Sequence, residues 1–410
     1  IQNCGGATRI KCQYCGFSNG LEEKSVTGLP GHFYNSLFWV GKLLAKIKNR
    51  IKNRRNNMNY PDWNEMRESM WAAERNFPMI DEETPTFMAQ PHAQNKQELK
   101  GADVVVIGSP YVSSSSDEWA GIAKEHWLAA PKRVRQQSIR YQSGYVQDFR
   151  LNVFDHLKLV DYGDADIPPE ANVGKLDPEL ILQAQSAVES KVNDALDVGA
   201  LPIVVGQNSP CSSYAIAKCV AEHTEGDVGI VSLDTHWDIF RECPQTNDPR
   251  IAGGFCWLYK TIEFHENIHA RNLVEIGPRG MLEAPDVVEE LLNRGANFYS
   301  GWDVRQQGIE AVCKGLDHAY NGTSAVYGHF DMDVLGGAGP APGDILGELA
   351  EPIGMTDYEC IRIAHELGLR GVNGFSFICI PPGSPVMYRV IVYIVMYLLA
   401  GKAMRRRRLD

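Results

Sequence analysis

The sequence has no apolar run of the length that a membrane-spanning helix needs. Such a helix takes about 20 apolar residues, whereas the most apolar run, VMYRVIVYIVMYLL at residues 386–399, is shorter and contains Arg389. A secretory signal, internal repeats and low-complexity segments are also lacking. We therefore expect this run to be a buried helix or a strand–helix segment, and we expect no membrane partner.

Positive charge is scarce outside the N-terminal region. The net charge is −11, which argues against nucleic acid as a partner. Residues 1–57 are the exception, with ten Lys and Arg residues against two Glu. Their apolar residues follow helical spacing, as in a basic amphipathic helix for a membrane surface or a partner. Because Met58 follows, we expect an extension that is not part of the native fold.

Cysteines are few and scattered, and only Cys4, Cys12 and Cys15 lie close together. Scattered cysteines in a long chain are typical of reduced thiols, so we expect a cytoplasmic protein. Cys12 and Cys15 have the Cys-x-x-Cys spacing of a zinc site, but no convincing fourth ligand follows them.

Short apolar runs recur from about residue 100 onwards, and helical segments separate them. Runs of this kind, rich in Val and Ile, are typical of strands buried on both faces. Strands that alternate with helices predict a parallel sheet whose functional residues lie at the carboxyl ends of the strands. The predicted strands are Asp103–Gly108, Leu157–Tyr162, Leu201–Gly206, Val228–Leu233, Asn272–Gly277, Ala325–Phe330 and Phe375–Ile380.

Two of these strands end in side chains of the types that commonly bind metal ions. The stretch VSLDTHWDI places Asp234, His236 and Asp238 at alternate positions, and VYGHFDMDV places Asp331 and Asp333 in the same way. Alternate residues of an extended chain share a face. Four carboxylates in one place repel each other unless cations neutralise them. Carboxylates with an imidazole suit Mn²⁺, Ni²⁺, Zn²⁺ or Fe²⁺.

These two stretches resemble the paired signatures of the ureohydrolases, the arginase and agmatinase family. DTHWD resembles D-A-H-x-D, and DMDVL resembles D-x-D-x-L. RVRQQSIRY, NLVEIGPRG and the last strand and helix are also similar to family segments, so the resemblance covers about residues 100–400. It divides the chain into the extension 1–57, an N-terminal arm at 58–100, a ureohydrolase domain at 101–400 and a basic tail at 401–410.

The resemblance implies a three-layer α/β/α sandwich on a parallel sheet. It also implies hydrolysis of a guanidino or amidino C–N bond, to urea or a urea derivative and an amine, by a hydroxide activated by two divalent ions, Mn²⁺ or Ni²⁺. Family members form trimers and hexamers.

By the same resemblance, Asp234 and Asp331 would bridge both ions. Asp238 would complete one ion together with a residue of an earlier loop, and would hold or shuttle the proton of the nucleophile. His236 and Asp333 would complete the other ion. Glu359 is similar in position to a family glutamate that contacts the guanidinium.

The chain departs from the family pattern in three places. The earlier loop reads VGQNS, so Asn208, or Ser209 in another alignment, stands where the family has a metal-binding histidine. An amide oxygen is a weaker ligand, so one metal site is expected to be weakened. No histidine lies between His236 and His265 to serve the leaving amine, and the segment after DMDVL differs at residues 336–345. We expect His223 to be a surface histidine.

These departures leave three functions open. The first is a divergent hydrolase of agmatinase or guanidine-hydrolase type. For this function, bulky Trp237 suggests a small guanidine as the substrate. Alternatively, the chain is a catalytically weak subunit of a hetero-oligomer with an active relative, like the subunits of the nickel-dependent metformin hydrolases. The third function is a regulatory module that binds a metal or a guanidine.

Overall fold

A computed structural model of the chain describes residues 2–4, 7–11, 18–22, 63–64, 76–119, 121–173, 176–243, 246–280, 284–336, 352–383 and 385–409. The chain divides into two compact units, residues 1–57 and residues 58–410. In the first unit, Gln2–Cys4, Ala7–Lys11 and Ser18–Glu22 form an antiparallel sheet. Cys12, Cys15 and the basic helical pattern lie outside the described residues.

The second unit is built on one parallel sheet of eight strands. In chain order the strands are β1 Val104–Ser109, β2 Leu159–Asp164, β3 Leu201–Gly206, β4 Val228–Leu233, β5 Ile268–Ile276, β6 Asn297–Tyr299, β7 Ala325–Asp331 and β8 Gly374–Ile378. Across the sheet they lie in the order β6-β5-β4-β7-β8-β3-β1-β2. All seven predicted strands are confirmed. The edge strand β6 was missed because its three residues are too few to form an apolar run.

Helices cover both faces of the sheet, which confirms the three-layer sandwich. One apolar cluster joins Leu233 and Phe330 of the sheet to residues of α10 and α11, and a second joins Ile230 and Tyr327 to residues of α3, α4 and α5. The helices are α1 Lys124–Leu128, α2 Ala130–Ser138, α3 Pro178–Asp197, α4 Tyr214–Glu222, α5 Trp257–Phe264, α6 Pro285–Asn293, α7 Gly301–Gln307, α8 Ile309–Gly315, α9 Asp317–Tyr320, α10 Asp357–Arg370 and α11 Pro385–Leu409.

Short elements complete the fold. Two small antiparallel pairs join Glu118–Trp119 to Ile122–Ala123 and Tyr145–Val146 to Leu151–Asn152. Single turns of 3₁₀ helix lie at Phe87–Ala89, Lys96–Leu99, Ile139–Tyr141, Gln147–Phe149, Val153–Asp155, Pro169–Asn172, Gly254–Cys256 and Met332–Val334.

The apolar run near the C-terminus is a helix, as expected, but a longer one than predicted. By length and composition alone, Pro385–Arg408 could cross a membrane, yet 72% of its apolar window is buried inside the protein. It packs closely on α10, because a Cβ at Gly401 would lie 2.3 Å from the carbonyl oxygen of His365. Its apolar residues are therefore explained by their burial against α10 and the sheet. Residues 401–409, set apart above as a basic tail, are its last turns, where the helix dipole favours cations.

A buried ion pair ties the N-terminal arm to the sheet. The Arg135 guanidinium of α2 donates to both carboxylate oxygens of Asp161 on β2, at 2.9 and 3.0 Å. Asp161 also accepts the backbone N–H of Phe87 at 2.7 Å. Arg135 is 2% exposed and Asp161 is 0% exposed. Removal of Arg135 therefore leaves the Asp161 carboxylate buried without a cation.

Arg135→Met should destabilise the protein by about 3–5 kcal/mol, because it strands the Asp161 carboxylate in the core. Urea unfolding of both proteins measures the difference. Arg271→Met is the matched control, since Arg271 pairs with Asp227 at 2.7 Å on an exposed surface and should change stability by less than about 1 kcal/mol. Equal losses in the two variants would contradict the role given to the buried pair.

Candidate metal centre

Four neighbouring strands end at the place where the predicted ligands lie. The strands β3, β8, β7 and β4 are adjacent and parallel, so their carboxyl ends meet at one edge of the sheet. Asn208 follows β3, Asp331 is the last residue of β7, and Asp234 comes directly after β4. The fold thus brings together two signatures that lie almost a hundred residues apart in sequence.

Three side chains form a compact group that could hold a metal ion. One ligand atom from each of Asp234, His236 and Asp333 lies within 4.8 Å of the others. The His236 Nδ1 atom is 3.6 Å from the Asp234 Oδ1 atom and 3.3 Å from the Asp333 Oδ2 atom. His236 therefore presents one ring nitrogen between two carboxylates, one from each signature.

Two short turns fix the aspartates in the same way. The Asp234 Oδ1 atom accepts the backbone N–H of His236 at 2.7 Å, and the Asp331 Oδ1 atom accepts that of Asp333 at 2.9 Å. Thr235 joins the turns, because its N–H donates to the Asp333 Oδ1 atom at 3.2 Å and its hydroxyl donates to the Asp333 carbonyl at 2.8 Å. Each aspartate is held through one oxygen of its carboxylate.

A third segment supports these turns from below. The Arg279 guanidinium donates to the backbone carbonyls of Asp333 at 2.9 Å, Leu335 at 3.1 Å and Val334 at 3.2 Å. Gly277 has a φ of 102°, and a Cβ there would lie 2.4 Å from the Val334 Cγ2 atom. Both residues stand in the stretch NLVEIGPRG, and no role was predicted for either from the sequence. The structure makes them positioning residues for the β7 turn.

The electrostatics of the group show a strong preference for positive charge. Asp234, Asp331 and Asp333 are 1%, 3% and 4% exposed. Burial, followed by the charge of Asp333, raises the pKa of Asp234 to about 7. Burial and the charges of Asp333 and Asp234 raise the pKa of Asp331 above its usual range. These carboxylates are therefore costly to ionise in the absence of a cation.

His236 is the one cationic group that lies between the carboxylates. Burial opposes its protonation, yet its hydrogen bonds to Asp234 and Asp333 raise its pKa. The Asp333 carboxyl is also buried, but hydrogen bonding to His236 lowers its pKa. The buried Nε2 atom of His236 has no hydrogen-bond partner among the described residues. A divalent cation would neutralise the carboxylates more fully than one imidazolium, so these residues fit such an ion.

The other predicted ligands are placed differently. Asp331 and Asp238 are not members of the group of three within the described part of the chain. Asp238 has a left-handed backbone with a φ of 50°, and its carbonyl accepts the N–H of Leu258 at 3.2 Å, at the start of α5. The Asn208 side-chain oxygen accepts the N–H of Ser113 at 2.9 Å. The structure therefore assembles one half of the expected dinuclear site more closely than the other half.

Ser209 and His223, two further residues considered from the sequence, lie near the two ends of α4. The Ser209 hydroxyl accepts the N–H of Tyr214 at 3.3 Å and thus caps the start of α4. His223 follows α4, and its ring nitrogens lie 2.9 Å from the Cys219 carbonyl oxygen and 3.1 Å from the Asp197 carboxylate. Neither residue is a member of the group of three.

Glu359 lies in the first turn of α10. Its Oε2 atom accepts the Thr356 N–H at 2.7 Å and the Thr356 hydroxyl at 2.9 Å, which caps α10. Its Oε1 atom accepts the Arg305 guanidinium at 2.6 Å. Both oxygens are thus committed to a helix cap and an ion pair. The contact between Glu359 and a guanidinium, which the family resemblance implies, stays a prediction.

Two buried residues near the centre were not predicted from the sequence. His329 lies on β7 two residues before Asp331, is 0% exposed, and burial lowers its pKa to about 3. Cys379 follows β8, and burial, followed by the charge of Asp331, raises the pKa of its thiol. His329 stands in the quoted stretch VYGHFDMDV on the same strand as Asp331, whereas only the strand order places Cys379 near Asp331. The altered segment at residues 337–351 lies outside the described residues.

Known proteins share this sequence pattern and this fold. The sequence profile of the arginase family matches residues 102–386. Proclavaminate amidinohydrolase from Streptomyces clavuligerus is 25% identical over 278 residues, which cover 64% of this chain and 77% of that protein. Formimidoylglutamase from Streptococcus pyogenes is 26% identical over 181 residues, which cover 42% of this chain and 52% of that protein.

Solved structures of similar proteins share the architecture. That of the proclavaminate enzyme has a TM-score of 0.64 and 23% identity, and the match covers 78% of this chain and 97% of that one. Formiminoglutamase from Trypanosoma cruzi, solved with Mn²⁺, has a TM-score of 0.60 and 21% identity, and the match covers 78% of this chain and 99% of that one. At these identities the likeness shows the fold.

The metal-free protein should lose thermal stability as the pH rises from about 5 to about 8. The pKa values of Asp234 and Asp331 are raised, so the folded protein keeps protons that the unfolded chain has released above about pH 4. The raised pKa of His236 acts with the same sign above about pH 6.5. In each case the folded state binds more protons, so stability falls with rising pH.

Thermal unfolding with a chelator across this range measures the effect. Added Mn²⁺ or Ni²⁺ should reverse the trend, because the ion competes with protons for the ligands and binds only the folded state. Asp331→Asn should raise the Tm of the metal-free protein and flatten its pH dependence. A metal-free Tm that rises over this range would contradict the charge balance described here.

Proposed function

The chain belongs to the arginase family, and from that premise we propose that it is a metal-dependent hydrolase that cleaves a guanidino or amidino C–N bond. The products are urea, or a urea derivative, and an amine. The observation that carries the proposal is the buried group of Asp234, His236 and Asp333 at the carboxyl edge of the sheet.

The relatives support this class of reaction. The names of the amidinohydrolase and the formimidoylglutamases are those of enzymes that act on amidino and formimidoyl groups. The family profile covers both signatures of this chain. An agmatinase or guanidine hydrolase specificity is our further proposal, and Trp237 favours a small guanidine. This side chain is buried next to His236 and packs on Phe298 with ring centroids 5.4 Å apart.

The residues of the centre would divide the work of this reaction. His236 and Asp333 would hold one ion through the Nδ1 and carboxylate atoms described above, and Asp234 and Asp331 would lie between two ions. Bound Mn²⁺ or Ni²⁺ would supply Lewis-acid activation of water at neutral pH. Asp238, the last residue of the first signature, has a partly buried side chain and would hold or move the proton of the attacking water.

A second function is favoured by one observation at the weaker half of the centre. The oxygen of Asn208 already accepts a hydrogen bond from Ser113, and an amide is a poor substitute for imidazole at a borderline metal. A chain that holds only one ion firmly would suit an accessory subunit, paired with an active relative in a hetero-oligomer. A homo-oligomer is our proposal for the active form.

We also propose a cytoplasmic location. The seven cysteines from Cys211 to Cys379 are free thiols. Reduced thiols are typical of proteins in a reducing compartment.

Metal content and urea release, measured on the same sample, test the proposed reaction. Protein expressed with Mn²⁺ or Ni²⁺ is expected to hold about two ions per chain and to release urea from a member of a guanidine panel. His236→Ala should lose one ion and the activity, whereas His223→Ala, on the surface, should lose neither. One ion or none, without urea release, would favour the accessory subunit, and activity restored by a co-expressed relative would establish it.

Asn208→His should bind the second ion more tightly, on the order of tenfold, because imidazole replaces an amide oxygen. Competition with a chelator measures the affinity of each ion. Asn208→Ala is the control, since it removes the same bond to Ser113 without supplying a nitrogen ligand. Unchanged affinity in the histidine variant would place Asn208 outside the coordination sphere.

A further inference from the structure

A cavity of about 480 Å³ lies at the amino edge of the sheet, and Ala325, the first residue of β7, is on its wall. Asp103 and Leu157, which lie just before β1 and β2, line it too. Asp331 ends β7 after seven residues, so the metal centre lies about 20 Å away along the strand. The cavity is therefore separate from the metal centre, and its volume is typical of a site for a small molecule.

Positive charge dominates the walls of this cavity. Arg370 is the last residue of α10, and Lys402, Arg405 and Arg406 lie in the last turns of α11. Asp103 is the one carboxylate among the described residues that line the cavity. Four cations against one carboxylate leave the walls with an excess of positive charge.

Two of the four cations are held by carboxylates. The Arg370 guanidinium pairs with Asp317 and, at 2.9 Å, with Glu366. The Arg406 guanidinium donates to the Asp103 Oδ1 atom at 2.8 Å. The fold therefore accounts for Arg370 and Arg406, and the one carboxylate of the cavity is already engaged.

Lys402 and Arg405 have no such partner. Neither side chain forms a hydrogen bond or an ion pair with another residue in the described part of the chain. Burial lowers the pKa of Lys402; the charge of Asp103 opposes this shift, and the charges of Arg405 and Arg406 add to it. An anion in the cavity would relieve the repulsion among these cations.

The Arg405 guanidinium lies against the backbone of Gly371, which comes directly after α10. A Cβ at Gly371 would lie 1.4 Å from the Arg405 Nη1 atom, and the residue has a φ of 96°. A glycine here therefore leaves room for the guanidinium at the wall of the cavity. The helix dipole alone does not explain this placement, because Arg407 and Arg408 also supply charge to the end of α11 without lining the cavity.

Uncharged donors complete the walls. The Asn373 Oδ1 atom accepts the N–H of Val326 at 3.2 Å, so its amide nitrogen is left to donate. The Ser324 hydroxyl also lines the cavity. Ammonium, guanidinium, amide and hydroxyl groups together suit a ligand that carries several acceptor oxygens.

We propose that this cavity binds a small phosphorylated molecule and that Lys402 and Arg405 hold its phosphate group. The planar fork of an arginine matches two oxygens of a phosphate, and a lysine adds a point charge. The site lies at the opposite edge of the sheet from the metal centre, so it does not depend on the proposed reaction.

Calorimetric titration of the full, metal-loaded chain with pyrophosphate tests the proposal, at low ionic strength because salt screens contacts of this kind. Lys402→Gln and Arg405→Gln should each bind at least about tenfold more weakly than the wild type, since each loses a hydrogen bond to a charged group. Arg408→Gln is the matched control, because it removes the same charge from an exposed position of α11 outside the cavity. This control and Asp331→Asn, at the metal centre, should keep almost the wild-type affinity.

Several results would overturn the proposal. They are no binding by the wild type, wild-type affinity in both Lys402→Gln and Arg405→Gln, and an equal loss in Arg408→Gln. A loss in Asp331→Asn would place the probe at the metal centre instead. Citrate should bind more weakly than pyrophosphate, and equal affinity would show that the cavity selects charge and not phosphate. The Tm of each variant shows that the fold is intact.

A footprint on the unaltered protein gives a second readout. Acetic anhydride modifies lysine amines, and mass spectrometry measures the rate at each one. Pyrophosphate should slow the modification of Lys402 and leave that of Lys314, exposed on α8, unchanged. Equal rates at Lys402 with and without pyrophosphate would contradict the proposed site.

Discussion

The arrangement of the molecule depends on the repulsion among three buried aspartates at one edge of the sheet. Each carboxylate is almost fully removed from water, and in the protein alone one imidazole lies between two of them. Such a cluster costs folding free energy unless a cation occupies it. The whole cluster is therefore stronger support for a metal site than any one of its side chains. The surrounding hydrogen bonds hold these three side chains in place.

That restraint comes mainly from the backbone. The leading aspartate of each signature accepts the N–H of the residue two positions later, so each turn is closed by the side chain of its own aspartate. Thr235 joins the two turns, and Arg279 holds the carbonyls beneath the second one. The ligands are fixed before any ion arrives, which lowers the cost of ordering them on binding. Loops positioned by a rigid sheet are well suited to this task.

The sequence predicted the parts of the fold that depend on local pattern. Buried parallel strands are continuous apolar runs, so β1 to β5, β7 and β8 were visible, whereas β6 at the edge was too short. The group of Asp234, His236 and Asp333 followed from alternate spacing at two strand ends. The helix cap made by Glu359 was not predicted, because a cap and a substrate contact both call for a carboxylate near a helix start. Cys379 could not be found, since its neighbours depend on strand order and not on chain order.

The position of β8 has a consequence for how the chain is made. This strand is the last of the sheet to be synthesised, yet it lies in the middle and is the sole hydrogen-bonded link between the β2-β1-β3 half and the β7-β4-β5-β6 half. The sheet cannot close until Gly374–Ile378 has left the ribosome. Until then, both halves present open strand edges, and the apolar face later covered by α11 is exposed to water. The nascent protein is thus a natural client for chaperones that protect unpaired strands.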